Sequence, residues 1–504
     1  SAERIEGAIS FIGFSPNRCP SIYQRPGAVN RKKAEGKEER ARSAPQNHLP
    51  SSVQSPFPKD FLDTKAEKIK DARMKPVYNM LLWIAAVPGL LFFLFKMAFT
   101  GKYRRSFLQK LGMRQDHLTT AIGPGPRVWI HAVSVGEVTA ASPVVAALKK
   151  ERPDARIIFS TSTETGQGMA QRLVKGVDAF IYFPLDIPFS VNHMLDAVRP
   201  DVFVLVETEL WPNFLAACRK RMIPVLMVNG RLSPRSFSGY RRTRFFWRRV
   251  LENVDAAGMI SEVDASRIAA MGIDPGKISV LGNAKYDALA AMASPSLQEE
   301  IARRFGVQGH EKFLVAGSTH PGEEDVVIEA YRDLLARDPN FRLIIVPRHI
   351  ERAGEVVRLL REAGFPDVLT VTQMRGGQPR RDEKVIVVDV IGELFKAYSL
   401  ATVVYCGGSL VPRGGQNLLE AAAWGKVIFY GPSMDDFSSE AALLESAGAG
   451  IRVHNARELL EKILLILGDP PDAQKRGERG RAVVLANGGA AKRYAEMVMK
   501  YLGV

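Results

Sequence analysis

Short, almost wholly apolar runs alternate with amphipathic stretches along this chain, and the pattern occurs twice in succession. From residue 127 the runs are VWIHAV, RIIFSTS, AFIYFP, DVFVLVE, IPVLMVNG, AAGMIS and ISVLGN. A proline- and charge-containing stretch near 286–310 interrupts them, and the rhythm restarts with FLVAGS, FRLIIVP, DVLTVT, KVIVVDV, TVVYCGG and KVIFYG. Strands this apolar belong to parallel sheets covered on both faces, with the helical stretches as crossovers. The expected fold is therefore α/β, with two Rossmann-like doubly wound domains at 101–290 and 311–504, joined by a linker at 291–310. The last helices are expected to pack back on the first domain. Ligands of such sheets bind beyond the carboxyl ends of the strands, so the residues that follow each apolar run are the first candidates for function.

Two segments precede the domains. Residues 1–73 are polar, carry seven of the thirty prolines and include the run RKKAEGKEERAR without an apolar period, which reads as a disordered leader. Either an over-long start or a processed leader would account for it. Residues 76–95, PVYNMLLWIAAVPGLLFFLF, form a charge-free run of twenty, about the length that crosses the hydrocarbon core as a helix. Lys96, Lys102, Arg104 and Arg105 follow at once. The segment 74–100 is thus expected to be a single N-terminal membrane anchor with the catalytic body on its cytoplasmic side.

The strand ends of the two domains differ in chemistry. In the first they place Glu137 at a strand-to-helix turn, Glu207 at the end of an apolar strand, and Lys285 after a later strand. Glu137 suits a general base taking a proton from a hydroxyl, or an ordinary first-turn glutamate favoured by the helix dipole. Glu207 next to Lys285 reads either as a tuned catalytic pair or as a structural ion pair. The second domain offers Gly317, Ser318, Thr319 and His320, then Pro347, Arg348 and His349, then Gly392 and Glu393. It also carries the loop GGSLVPRGGQNLLEAAAWG at 407–425, with Gly407, Gly408, Ser409, Gly414, Gly415 and Glu420. Glycines bring backbone amides close to phosphates, and a helix starting near Gln416 would add its N-terminal dipole. Arg348 is placed to meet a phosphate bidentately, and Glu420 to accept ribose hydroxyls. His320 and His349 could bond a phosphate or cap their loops.

The net charge of +15 calls for an acidic partner: nucleic acid, an anionic membrane face or a phosphorylated substrate. Much of it lies in RLSPRSFSGYRRTRFFWRR, where Arg231, Arg235, Arg241 and Arg242 are among seven arginines interleaved with Phe237, Tyr240, Phe245, Phe246 and Trp247. Behind an apolar anchor, that pattern reads as contact with anionic lipid headgroups rather than nucleic acid. The cysteines, three in all, are far apart and show neither metal-ligand spacing nor a disulfide framework, so no metal is expected. Oligomeric state is left open.

Nine ordered motifs carry a family resemblance: HAVSVGE, FPLDIP, ETELWPN, NGRLSPRS, GNAKYD, GSTHPGEE, VPRH, IGEL and GGSLVPRGGQNLLEAAAWG. Over about residues 74–504 the chain resembles the lipid A Kdo transferases, where Kdo is 3-deoxy-D-manno-octulosonic acid. The resemblance implies a GT-B glycosyltransferase of the bacterial inner membrane that uses CMP-Kdo as donor, a lipid A precursor as acceptor, and no catalytic metal. It also implies Glu137 as general base, Glu207 and Lys285 as supports of the transition state, and nucleotide contacts from Pro347, Arg348, Ile391, Gly392, Glu393, Asn417, Leu418, Leu419 and Glu420. The alternatives are a UDP-sugar transferase or epimerase of the same fold, or a membrane-tethered binding protein without catalysis.

Overall fold

The computed structural model describes residues 78–80, 82, 84, 108–113 and 122–502. The expected leader and most of the run 76–95 lie outside the described residues. Among the described residues no helix is long and apolar enough to cross a membrane.

Two seven-stranded sheets account for the periodic runs, and every strand pairing is parallel. The first contains β1 (Arg127–His131), β2 (Arg156–Thr161), β3 (Ala179–Tyr182), β4 (Val202–Val206), β5 (Val225–Gly230), β6 (Ala256–Met259) and β7 (Ile278–Val280), in the order β3-β2-β1-β4-β5-β6-β7. The second contains β8 (Lys312–Thr319), β9 (Phe341–Pro347), β10 (Val368–Thr370), β11 (Val385–Val387), β12 (Val403–Cys406), β13 (Val427–Tyr430) and β14 (Gly450–Arg452), in the order β10-β11-β9-β8-β12-β13-β14. The edge strand β14 was not expected, because Gly-Ile-Arg, half-buried to exposed, carries no apolar run. Apolar clusters cover both faces of each sheet, which is why a central strand such as β4, VFVLV, is buried at every position.

Each order reverses direction once, between β1 and β4 in the first sheet and between β8 and β12 in the second. At such a switch point the connections leave in opposite directions and open a crevice at the carboxyl ends. The residues beyond β1 and β4 include Glu137 and Glu207; those beyond β8 and β12 include His320 and the glycine-rich loop.

The helices that position these residues are α1 (Val135–Glu151), α2 (Pro234–Arg242), α3 (Arg244–Leu251), α4 (Ala284–Met292), α5 (Pro295–Arg304), α6 (Glu324–Arg337), α7 (Leu394–Leu400), α8 (Leu419–Ala423), α9 (Pro470–Ala486) and α10 (Ala490–Met499). Half of the stretch 291–310, expected as a linker, is α5. Ser294 caps it, and Ile301 and Phe305 are fully buried in the core of the second domain. That domain therefore begins before residue 311. Between the domains stands α4, with Ala284 in a first-domain cluster and Tyr286 and Leu289 in a second-domain cluster.

The last helix, α10, crosses back to the first domain. Its Tyr494 is fully buried, with the hydroxyl donating to the carbonyls of Gly282 (2.8 Å) and Gly258 (3.3 Å). The Asp287 carboxylate on α4 accepts the backbone N–H groups of Gly489 (2.6 Å) and Ala491 (3.3 Å) at the start of α10. Tyr494→Ala should destabilise the protein by about 3–5 kcal/mol, the range for emptying a buried aromatic site, and lower the midpoint of a thermal melt. A wild-type melting temperature in that variant would show that α10 contributes nothing to the first domain.

Candidate active site

Two strand-end clusters form, one per domain. In the first, Ser134 and Glu137 make a capping box at the start of α1: the Ser134 hydroxyl accepts the Glu137 N–H (3.2 Å), and Glu137 Oε1 accepts the Ser134 hydroxyl (2.7 Å) and N–H (3.3 Å). Glu137 Oε2 accepts the Val133 N–H at 2.8 Å, and the residue is 5% exposed. Burial, and secondly the charge of Glu207, push the Glu137 carboxyl up to about 7, against the pull of the bonds from Val133 and Ser134. One residue thus both caps the helix and carries a carboxyl that titrates near neutrality.

Glu207 comes next to it because β4 pairs with β1. Its backbone is left-handed, with φ 59°, a conformation that costs a non-glycine residue roughly 1–3 kcal/mol and clusters at functional sites. Its Oε1 accepts from Lys285 Nζ at 2.8 Å, with the two side chains 15% and 25% exposed. Lys285 Nζ also lies 3.6 Å from where a side chain on Gly136 would begin, so the ammonium stands over the first turn of α1. The three predicted residues are brought together by three separate segments.

Asn229, the fifth residue of β5, helps hold them. It too is left-handed, at φ 52°, and its Oδ1 accepts the Ala284 N–H at 2.9 Å, fixing the start of α4 one residue before Lys285. Below the cluster His131 stacks on Phe183 at 3.8 Å, and burial pushes its imidazole down to about 3, so it stays neutral.

The second cluster departs from its expected form. Residues 407–410 and the end of β8 touch backbone to backbone: a β-carbon on Gly407 would fall 2.6 Å from the Ser318 carbonyl oxygen, so only glycine fits. The amides of the loop, however, do not stand free for a phosphate. Those of Gly408, Ser409 and Leu410 donate to the buried carboxylate of Glu323, that of Gly414 to the Ser433 hydroxyl, and that of Gly415 to the Gly408 carbonyl. The helix that follows begins at Leu419 rather than near Gln416 and has five residues, too few for the dipole effect expected of it. Asn417 Oδ1 takes the Leu419 N–H (3.1 Å), beside the buried Leu418.

Side chains supply the polar groups instead. Thr319 Oγ1 and His320 Nε2 are buried without a hydrogen-bond partner, next to Ser318 at φ 55°. The ring of His320 meets that of His349 edge-on at 5.9 Å, and the charges of Arg413 and Arg348 both reach it. Arg348 is exposed, following the buried Pro347. Burial pushes the Glu420 carboxyl up to about 7, although the Asn417 amide (3.3 Å) and the charge of Arg348 pull it down. Glu393 is otherwise engaged: its buried carboxylate pairs with Arg304, with Arg375 (2.8 Å) and with Lys396 (3.3 Å), while Ile391 and Gly392 beside it are exposed. Among the described residues no group of three or more His, Cys, Asp or Glu could hold a metal ion.

A sequence profile described as 3-deoxy-D-manno-octulosonic-acid transferase (kdotransferase) matches residues 104–288. The chain is 30% identical over 403 residues to the 3-deoxy-D-manno-octulosonic acid transferase of Haemophilus influenzae, covering 79% of this chain and 92% of that one. The chain belongs to the Kdo transferase family. The enzyme of the same name from Bordetella pertussis is 30% identical over 384 residues, 75% of this chain and 87% of its relative. A UDP-GlcNAc 2-epimerase from Neisseria meningitidis, bound to UDP-GlcNAc, superimposes with a TM-score of 0.52 at 15% identity over 75% of this chain and 99% of that one, a likeness of fold alone. As a Kdo transferase the chain is a glycosyltransferase, and its two parallel-sheet domains are consistent with the GT-B architecture.

The basic segment of this Kdo transferase follows β5. Arg231 lies just before α2, which carries Arg235, Arg241 and Arg242, and Arg231, Arg241 and Arg242 are exposed. The interleaved aromatics are not a lipid-facing set, which corrects the sequence reading. Tyr240 and Trp247 are buried, with their rings edge-on at 4.8 Å, and Phe237 and Phe246 pack on the same core. Only Phe245, 66% exposed, points out among the arginines. Beside this segment docks the start of the 76–95 run. The Tyr78 hydroxyl donates to Asp186 Oδ2 (2.9 Å), Asn79 Oδ1 accepts from Asn213 Nδ2 (2.7 Å), and the Tyr78 ring lies 5.7 Å from that of Phe246.

Proposed function

We propose that this enzyme moves Kdo from CMP-Kdo to a hydroxyl of a lipid A precursor at the bacterial inner membrane, releasing CMP and inverting the anomeric centre by direct displacement. The observation that carries the reading is Glu137: a nearly buried carboxyl whose proton equilibrium sits at about 7, beside the Glu207–Lys285 pair at the switch point of the first sheet. Its carboxylate takes the proton of the acceptor hydroxyl as that oxygen bonds the anomeric carbon of Kdo. The bond from that carbon to the phosphate oxygen breaks, and its electron pair leaves with CMP. Burial and, secondly, the charge of Glu207 raise the basicity of Glu137, and Lys285, 2.8 Å from Glu207, opposes the negative charge that develops during transfer. No step uses a metal ion.

Arg348, Thr319 and His320 are the groups we assign to the donor phosphate, in place of the loop amides. Arg348→Ala should weaken CMP binding about tenfold or more, as expected for losing one charge-assisted contact, and an unaltered affinity by calorimetry would remove that role. The acceptor assignment is supported by the exposed Arg231, Arg241 and Arg242 beside the docked start of an apolar run. Phosphates of a lipid would meet the arginines while its acyl chains stay in the bilayer.

The reading is tested by offering the full-length protein CMP-Kdo and UDP-sugars with a tetraacylated lipid A precursor in detergent. CMP release that requires both CMP-Kdo and the lipid, with Kdo added to the lipid mass, is expected. Turnover of a UDP-sugar in its place would favour the epimerase-like or UDP-dependent alternative.

A further inference from the structure

We infer that Glu323 is a positioning residue of the donor site: its carboxylate occupies the nest of loop amides between β8 and β12, and so sets the geometry in which Thr319, His320 and Arg348 meet the nucleotide donor. This rests on the proposed use of CMP-Kdo.

Glu323 is fully buried, at the start of α6. Its Oε1 accepts the Tyr405 hydroxyl (2.9 Å) and the N–H groups of Ser409 (2.9 Å) and Leu410 (2.9 Å). Its Oε2 accepts the N–H groups of Gly408 (2.7 Å) and His320 (3.0 Å). Successive amides converging on one anion are the arrangement by which loops of this kind bind phosphate, and here the chain supplies the anion itself. The bonds span both sides of the second switch point: His320 follows β8, and residues 408–410 follow β12. A turn closes the span, since the Glu323 N–H returns to the His320 carbonyl (3.1 Å).

Two consequences reach the site. With its backbone N–H fixed by Glu323, His320 keeps Nε2 unpartnered, and the neighbouring Thr319 Oγ1 is likewise unpartnered. The left-handed Ser318 is held against Gly407, so the two strand ends move as one unit. Glutamine at this position would offer one acceptor oxygen and turn an N–H pair toward amides that are themselves donors. Two or three of these bonds would be lost, and residues 408–410 would no longer be pinned to His320.

The test compares Glu323→Gln with wild type in steady-state Kdo transfer, with CMP affinity read by calorimetry and the fold by circular dichroism. A positioning role predicts a KM for CMP-Kdo raised about tenfold or more, a matching loss of CMP affinity, a KM for the lipid acceptor within about twofold of wild type, and a smaller change in kcat. A folded variant with unchanged donor KM and CMP affinity, or one that loses kcat with both KM values moved together, would overturn it. Should Glu323→Gln fail to fold, Tyr405→Phe removes one bond to Oε1 alone and should raise the donor KM about threefold; no change there overturns the inference equally. If wild type itself releases no CMP from CMP-Kdo, it is the functional reading that fails, and the two CMP affinities still decide the role of Glu323.

Discussion

Glu137→Gln is expected to lower kcat for Kdo transfer by about 10²–10⁴-fold, the usual worth of a general base, with CMP affinity nearly unchanged because the nucleotide is assigned to the other domain. Glutamine at the third helical position preserves the capping-box pattern, so the loss should not be one of folding. Stability supplies an independent sign. The folded-state pKa of Glu137 is raised from 4.5 to about 7, so between those values the native state holds a proton that the unfolded chain has released. Stability from this group is therefore full below about 4.5 and is lost as the pH rises through 7, by an amount on the order of 3 kcal/mol. The melting temperature of wild type should fall over that window relative to Glu137→Gln. Near-normal turnover in the variant would remove Glu137 as the base.

Lys285→Ala should produce the second largest change. It takes away the cation 2.8 Å from Glu207 and leaves two neighbouring carboxyls, one of them strained in a left-handed backbone, without a counter-charge. With that cation gone, the neighbouring negative charge raises the Glu137 carboxyl further, and the ascending limb of the rate profile moves above 7. Transfer at neutral pH should fall about tenfold to a hundredfold and recover in part at alkaline pH. Breaking a buried ion pair costs about 3–5 kcal/mol, and the residual exposure of this one places it at or below the low end, so a lower melting temperature should accompany the change. A limb left at its wild-type position would show that Lys285 does not set the charge of the site.

The strands of this fold are legible in sequence because parallel strands covered on both faces consist of uninterrupted apolar residues. The strand-end rule then points to Glu137, Glu207 and Lys285 before any coordinate is known. What could not be read depends on partners far apart in sequence. Glu393 looks free in IGEL, yet Arg304 reaches it from α5, 89 residues earlier. Glu323 looks like an ordinary acid at a helix start, and nothing local says that its carboxylate fills the amides of residues 408–410.

Two other features carry a local signal in sequence. Ser294 before Pro295, with Ile301 and Phe305 four residues apart, is a capped helix with an apolar face, which the surrounding charge made look like a linker. Phe237 and Tyr240 share one face of α2 at a spacing of three, which predicts burial rather than lipid contact, while Phe245 falls outside that stripe.

The most direct test is the pH dependence of single-turnover Kdo transfer, measured from about pH 5 to 9 with CMP-Kdo and lipid acceptor saturating, in wild type and in Glu207→Gln. The account predicts an ascending limb centred at about 7 in wild type and moved part of the way toward the ordinary carboxylate range in Glu207→Gln, because burial still raises Glu137 while the second cause, the charge of Glu207, is gone. A wild-type limb already in the ordinary carboxylate range, or one that Glu207→Gln leaves in place, would contradict it.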